Sequence, residues 1–282
     1  MLFKSHVLKN KILIDSTINA FYNSISEESR LTQGIGAFEF ERTKNLIQRY
    51  VSTVPAIIID VGGGTGKYAQ WLARMRHQVH LVEPVTKHIK LAKKRAQSSG
   101  HSFCVYHGEA KSLPFPDEFA DVIIAHGPLY HLQKHQDRAD AIKEAERTLR
   151  PGGVFLAFAI NRTSSTLFGL MQGLVHEKSF LKMCLNEIED GHHCPPANIP
   201  GLFTKAYFHE PQQLEEEIIA QGFQIKDTIA VEGMTWLDKD FFVSLAVPEK
   251  KKTLLKLLQR TERNRYLLPF SPHFVVVASK GS

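Results

Sequence analysis

AIIIDVGGGTG, residues 56–66, decides how the rest of the chain is read. Ile57, Ile58 and Ile59 are consecutive β-branched residues, the pattern of a strand covered on both faces, as in a parallel sheet. Asp60 then interrupts the run with a charge. Gly62, Gly63, Gly64 and Gly66 follow with only Thr65 between them, and so dense a cluster lets the backbone turn sharply and approach a ligand without Cβ clashes. Beyond it, Tyr68, Trp71, Leu72 and Met75 recur at i, i+3, i+4 and i+7, one face of a helix over 67–76. Strand, glycine loop and helix in this order form a nucleotide-type site at the carboxyl end of a strand.

Three loop types compete for this stretch. A phosphate loop ends in Gly-Lys-Ser/Thr, whereas Gly66-Lys67 is followed by Tyr68. A dinucleotide fingerprint is GxGxxG, but here the third glycine comes one residue early, giving Gly62, Gly64, Gly66. The stretch resembles the acidic-x-GxGxG loop of S-adenosylmethionine (SAM) enzymes, with every position filled.

The chain of 282 residues can hold one large α/β domain with insertions. Its 43% hydrophobic content is ample for a core. The net charge of +6 allows an anionic partner without demanding one, because Lys and Arg are scattered apart from Lys250–Lys252. Cys104, Cys184 and Cys194 are widely spaced and odd in number, which is no disulfide framework and suits a reducing, cytoplasmic compartment. No apolar stretch is long enough for a membrane span, and charges interrupt the first residues, unlike a secretory signal.

Read in order, residues 21–36 form a short helix and a glycine turn, and 37–51 a helix with Phe40, Ile47, Tyr50 and Val51 on one face. After the glycine loop come strands at 78–83, 102–107, 121–125 and 154–160, alternating with helices at 86–97 and 138–149. Such alternation means a parallel sheet with right-handed crossovers. The rhythm then breaks at 161–210. It resumes with a helix at 211–222 and a strand at 224–232, breaks again at 233–270, where 250–265 is a basic helix, and ends in a strand at 274–280.

Taken together, DVGGGTG, Glu83 closing the second strand, GEAKSLPF (108–115), DVIIAHGPLYHL (121–132) and LRPGG (149–153) resemble a class I SAM-dependent methyltransferase. GPLYHL and AFEFERT (37–43) are similar to a bacterial subgroup of small-molecule methyltransferases. The resemblance implies a Rossmann-like, doubly wound α/β fold: a mostly parallel seven-stranded sheet with its last strand antiparallel, plus helical cap insertions. In this reading 1–55 is a helical lid and 56–160 the SAM-binding core. Residues 161–210 and 233–270 are caps, and 211–232 with 271–282 complete one methyltransferase domain.

The resemblance also assigns the cofactor, S-adenosyl-L-methionine, with S-adenosyl-L-homocysteine as product. Backbone at Gly62, Gly63, Gly64 and Gly66 approaches it without obstruction, and Asp60 helps hold its cationic amino group. Glu83 accepts the ribose hydroxyls, since an ionised carboxylate is acceptor-only. Pro84 packs on the adenine, Glu109 accepts from its amino group where the family usually has Asp, and the Ala110 N–H donates to its ring. Ala125 and His126 line the methionine moiety.

Methyl transfer is an in-line displacement that mainly needs alignment and exclusion of water. A base is required only when the acceptor holds its proton. His131, titrating near neutrality, and its neighbour Tyr130 follow the fourth strand and are the candidate catalytic residues, with His209 as a further candidate. Tyr22 reads either as part of a lid or as a core aromatic. The stretch His192-His193-Cys194 has no second ligand cluster at finger-like spacing and reads as a polar loop, so no metal is expected. The expected function is methyl transfer to O, N or C of a small-molecule acceptor, without nucleic acid or membrane as partner. An RNA or protein methyltransferase and a non-catalytic SAM-binding protein are the rivals. The oligomeric state and the acceptor are not legible.

Overall fold

The computed structural model describes residues 13–25, 27–51, 54–98 and 100–281. Residues 1–12, the start of the expected lid, lie outside them. Among the described residues three helices come first: α1 (Ser16–Ser24), α2 (Glu27–Arg30) and α3 (Gly34–Gln48). The alternating core runs β1 (Ile57–Val61), α4 (Lys67–Arg74), β2 (Gln78–Glu83), α5 (Thr86–Ser98), β3 (Cys104–His107), β4 (Ala120–His126), α6 (Pro128–His131), α7 (His135–Thr148) and β5 (Leu149–Ile160). There follow α8 (Ser164–Gln172), α9 (Lys178–Asp190) and the short strands β6 (His192–His193) and β7 (Ala206–Tyr207). The chain closes with α10 (Pro211–Ile219), β8 (Phe223–Ala230), α11 (Phe241–Ala246), α12 (Pro248–Thr261) and β9 (His273–Lys280).

Seven strands form one sheet in the order β3-β2-β1-β4-β5-β9-β8. The first five are mutually parallel, and β9 runs antiparallel to both β5 and β8. This is the Rossmann-like sheet with a reversed last strand that the family resemblance implies. The isoleucine run is explained by the pleat: Ile58 packs toward α3 and α4, whereas Ile59 and Val61 pack toward α7 and α10. Both faces are covered, so the strand carries no polar alternation.

Two topological facts place the site. The strand order reverses direction between β1 and β4, where α/β sheets open a crevice at their carboxyl ends. Because β9 is antiparallel, its first residue, His273, stands opposite Ile160 at the end of β5, on that same edge. Element boundaries differ modestly from expectation. The basic helix is Pro248–Thr261, ending earlier than 265, and β8 ends at Ala230 rather than 232. The His192-His193 loop reading is corrected: these residues pair antiparallel with Ala206–Tyr207, and their ladder gives the 161–210 segment its own small sheet.

A buried ion pair joins the N-terminal helices to the 233–270 segment. Arg42 Nη2 lies 2.8 Å from Glu262 Oε2, and its Nε donates to the Val231 carbonyl at 3.0 Å. At the other end, α1 is capped by Asp15, which accepts from the Thr17 and Ile18 amides. Lys87 Nζ donates to the carbonyls of Tyr22, Asn23 and Ile25, placing a cation where the helix's negative end lies. Among the described residues no helix is long and apolar enough to cross a membrane.

Candidate active site

A single cavity of about 2000 Å³ extends from the glycine loop into the space bounded by α1, α8, the β6–β7 segment and the start of β9. Of the residues the sequence singles out, Asp60, Gly62, Gly63, Gly64, Glu83, Pro84, Glu109, Ala110, His126, Tyr130 and His131 line it. Gly66, Ala125 and His209 do not. Gly66 instead opens α4 at φ +82°, and a Cβ there would come 2.8 Å from the Phe103 ring. Ala125 is buried within β4.

The loop is braced from β2. Glu83 is buried; its Oε2 accepts from the Gly64 amide and its Oε1 from the Val85 amide, both at 2.9 Å. Its ionised carboxylate keeps lone pairs for further donors on the cavity side, as two ribose hydroxyls would be. Gly62 and Gly64 adopt φ of +72° and +55°, and a Cβ on Gly62 would meet Pro128 at 2.9 Å. The glycines are therefore fixed by backbone conformation as well as by ligand space.

Asp60 is a buried acid on the cavity wall. It is 1% exposed, and neither carboxylate oxygen makes a hydrogen bond. Burial, reinforced by the Glu83 carboxylate, pushes it up to about 7. A buried unpaired acid on a cavity wall calls for a positive group. The ammonium of a bound SAM is such a group, so these residues fit the cofactor that the loop implies.

The far half of the cavity is aromatic. Tyr22 Oη and His131 Nε2 are 2.7 Å apart, with their rings edge to face. Phe203 lies 5.6 Å from the His131 ring and 5.5 Å from Phe21, and Phe208 stacks on His193. Tyr22 thus joins the lining rather than the core. Burial pulls His131 down to about 3, which corrects the expectation of a histidine titrating near neutrality. Burial thus favours the neutral imidazole of His131. His209 is corrected too: it is fully buried behind the cavity, 3.5 Å from Glu217, which Arg138 also binds at 2.7 Å. Burial holds His209 below its ordinary value. It ties α10 to the core and does not line the cavity.

Sequence reading missed the polar end of the cavity. Glu39 from α3 is buried there, 2.9 Å from Arg30 and 3.4 Å from His126 Nε2. Burial opposes its charge, but Arg30, His273 and His126 hold it well below the usual carboxylate range. His273 and Trp236 complete the lining on that side. Glu39 stands inside AFEFERT, so a signal was present without an assigned role.

Residues 59–157 match the family model described as a methyltransferase domain. The chain is 24% identical over 174 residues to a ubiquinone biosynthesis O-methyltransferase of Methylobacterium, covering 62% of each chain. It is 26% identical over 190 residues to a demethylmenaquinone methyltransferase of Deinococcus radiodurans, covering 66% of this chain and 76% of that one. The aligned part thus spans somewhat under two thirds of the first relative. Among solved structures, a 1,6-didemethyltoxoflavin-N1-methyltransferase of Burkholderia thailandensis, with S-adenosylhomocysteine bound, superposes with a TM-score of 0.56 at 16% identity, covering 94% of this chain and 88% of that one.

Proposed function

We propose that the chain, whose residues 59–157 match the methyltransferase-domain family model, moves a methyl group from SAM to a small, flat acceptor held in the aromatic half of its cavity. The observation that carries this is the continuity of the cavity. The glycine loop, the unpaired Asp60 and the braced Glu83 lie at one end, and the Tyr22, His131 and Phe203 rings at the other. When bound, SAM supplies a methyl group already activated on a sulfonium, so the chain's own task is to align an acceptor and exclude water.

Each residue then has a definite duty. Asp60 neutralises the ammonium, Glu83 accepts the ribose hydroxyls, and Glu109, Ala110 and Pro84 flank the adenine. The aromatic rings stack against a planar acceptor. Neutral His131, hydrogen-bonded to Tyr22, shapes that wall, and its low basicity makes it a poor proton acceptor. Segments 161–210 and 233–270 act as caps, contributing Phe168, Phe203 and Trp236 to the lining. The quinone-related names of two relatives support an acceptor of this kind. Three free cysteines support a reducing, cytoplasmic setting.

The deciding experiment is a methyl-transfer screen over phenols, hydroquinones, amines and heteroaromatic compounds, read as S-adenosylhomocysteine release. Release that depends on a small acceptor supports the reading. SAM binding with no acceptor found, or transfer confined to RNA or protein, would replace it with one of the rivals.

A further inference from the structure

We propose that Glu232 and His273 form an oxygen-holding subsite of the cavity, which takes the acceptor as an acidic hydroxyl, phenolic or enolic, paired to His273 Nε2. This rests on the methyl-transfer reading and narrows it to oxygen acceptors.

The geometry is that of a carboxylate-oriented imidazole. Glu232 is fully buried, and its Oε1 lies 2.8 Å from His273 Nδ1. Its Oε2 accepts from the His273 amide at 3.0 Å and from the Ser271 hydroxyl at 3.1 Å. The carboxylate therefore fixes both the backbone and the ring of His273. With Nδ1 spent on Glu232, Nε2 is the ring nitrogen left for the cavity, which His273 lines. The position is also right for chemistry. His273 faces Ile160 at the end of β5, and its neighbour Glu39 contacts His126 at the end of β4, beside the expected methionine moiety.

Charge supports the assignment. Polar atoms of Glu39, Glu232 and His273 lie within 4.8 Å of one another. Arg30 from α2 neutralises Glu39, and the field of Arg42 from α3 reaches Glu232. Burial opposes a charged His273, but Glu232 and then Glu39 raise it to about 9 against the repulsion of Arg30. An imidazolium has only donors to offer. It suits an oxygen lone pair and repels an ammonium, so a protonated amine is the wrong acceptor for it. The same cavity holds a second histidine, His131, driven the opposite way. Environments that push two like groups apart in this manner mark division of labour in a site.

The proton count closes with either starting form. A phenolate meeting imidazolium and a phenol meeting neutral imidazole carry the same single proton, shared between the acceptor oxygen and Nε2. As the oxygen forms its bond to the methyl carbon, the carbon–sulfur bond breaks and its electron pair stays on sulfur. The proton stays on Nε2 when the acceptor arrives as phenolate, and passes from Nε2 to water when it arrives as phenol.

The test uses the full chain saturated with S-adenosylhomocysteine and 4-nitrophenol as probe, because the ionised form of that phenol absorbs in the visible. Below the phenol's own pKa, the wild type should bind it as the coloured phenolate. His273→Gln should bind it about 10- to 100-fold more weakly, the range of one charge-assisted hydrogen bond, and colourless. S-adenosylhomocysteine affinity, measured in the same samples, should stay unchanged and reports that the variant is folded. Should that variant not fold, the wild type decides alone: its affinity for the phenolate must fall as pH rises through about 9. A colourless complex, or no such fall, overturns the subsite. Colour that disappears on adding EDTA also overturns it, since Glu39, Glu232 and His273 would then be holding a divalent cation. A wild type that binds S-adenosylhomocysteine but no phenol overturns the subsite alone, and one that binds neither overturns the methyl-transfer reading with it.

Discussion

The Gly64 amide donates to Glu83 Oε2 at 2.9 Å, so the acid that closes β2 also holds the glycine loop in shape. Glu83 thereby has two tasks, ordering the loop and binding ribose. Glu83→Ala should weaken SAM binding by about 1.5–3 kcal/mol, the scale of hydrogen bonds to a charged group. Glu83→Gln retains an acceptor oxygen for Gly64 and should lose less. Calorimetry on the three proteins measures both steps, and equal affinities for all three would remove Glu83 from the cofactor site.

Gly64 itself sits at φ +55°, where a β-branched residue is strained whatever the space around it. Gly64→Val should abolish SAM binding. Circular dichroism and thermal unfolding without ligand separate lost binding from a lost fold. Normal SAM affinity in a folded Gly64→Val would mean that the cofactor lies elsewhere.

Asp60 makes cofactor affinity depend on pH. Its folded value of about 7 lies above its ordinary 3.8, so the folded chain without ligand binds a proton that the unfolded chain has released. Stability of the free protein from this group is therefore greatest in acid and declines as pH rises from about 4 to about 7. A cationic ligand reverses the preference, because it favours the ionised carboxylate. SAM should bind more tightly as pH rises through about 7, and Asp60→Asn should flatten that rise. Parallel titrations from about pH 5.5 to about 8.5, roughly one and a half units either side of the transition, compare the two proteins. Identical pH dependence would leave Asp60 without contact to the cation.

His131, at about 3, contributes no acidic limb in the physiological range. His131→Ala and Tyr22→Phe should raise KM for the acceptor more than they lower kcat, since both remove wall rather than a proton acceptor. The double variant should cost less than the sum, because the Tyr22–His131 hydrogen bond is shared. A fall in kcat of about 10²–10⁴-fold at constant KM would instead restore His131 as the base.

How much of this was legible follows from how local each signal is. The loop, β1, β2 and α4 are written in contiguous periodicities, and β2 begins and ends at Gln78 and Glu83 as the sequence predicts. The reversed β9 was legible only through family resemblance, since nothing in FVVVASK states its direction. His273 was not singled out because it precedes that apolar run, and its partners arrive from α3 and the end of β8. Glu232 closes the run Ile229–Val231 as Glu83 closes β2, so an acid at the end of an apolar stretch was the available clue. His131 shows the opposite limit. Its place on the cavity wall was legible, but its basicity depends on burial by Tyr22 and Phe203, which lie far from it in sequence.

Glu262 tests how the N-terminal helices are held over the site. Its carboxylate is 3% exposed, binding Arg42 at 2.8 Å and Arg49 at 2.6 Å. Arg42 is itself buried and lies on α3, the helix that delivers Glu39 to the cavity. Removing the acid alone strands a buried guanidinium, which costs about 3–5 kcal/mol, whereas replacing both partners by apolar residues of similar volume is often near neutral. Glu262→Ala should therefore lower the urea midpoint markedly, and Arg42→Met with Glu262→Met should recover most of the loss. If the pair serves only stability, the double variant should bind SAM and its acceptor as the wild type does. If it sets where α3 lies, the double variant will be stable yet bind the acceptor more weakly, because Glu39 and the His273 beside it will have shifted. Equal stability of Glu262→Ala and wild type would show that the ion pair holds nothing in place.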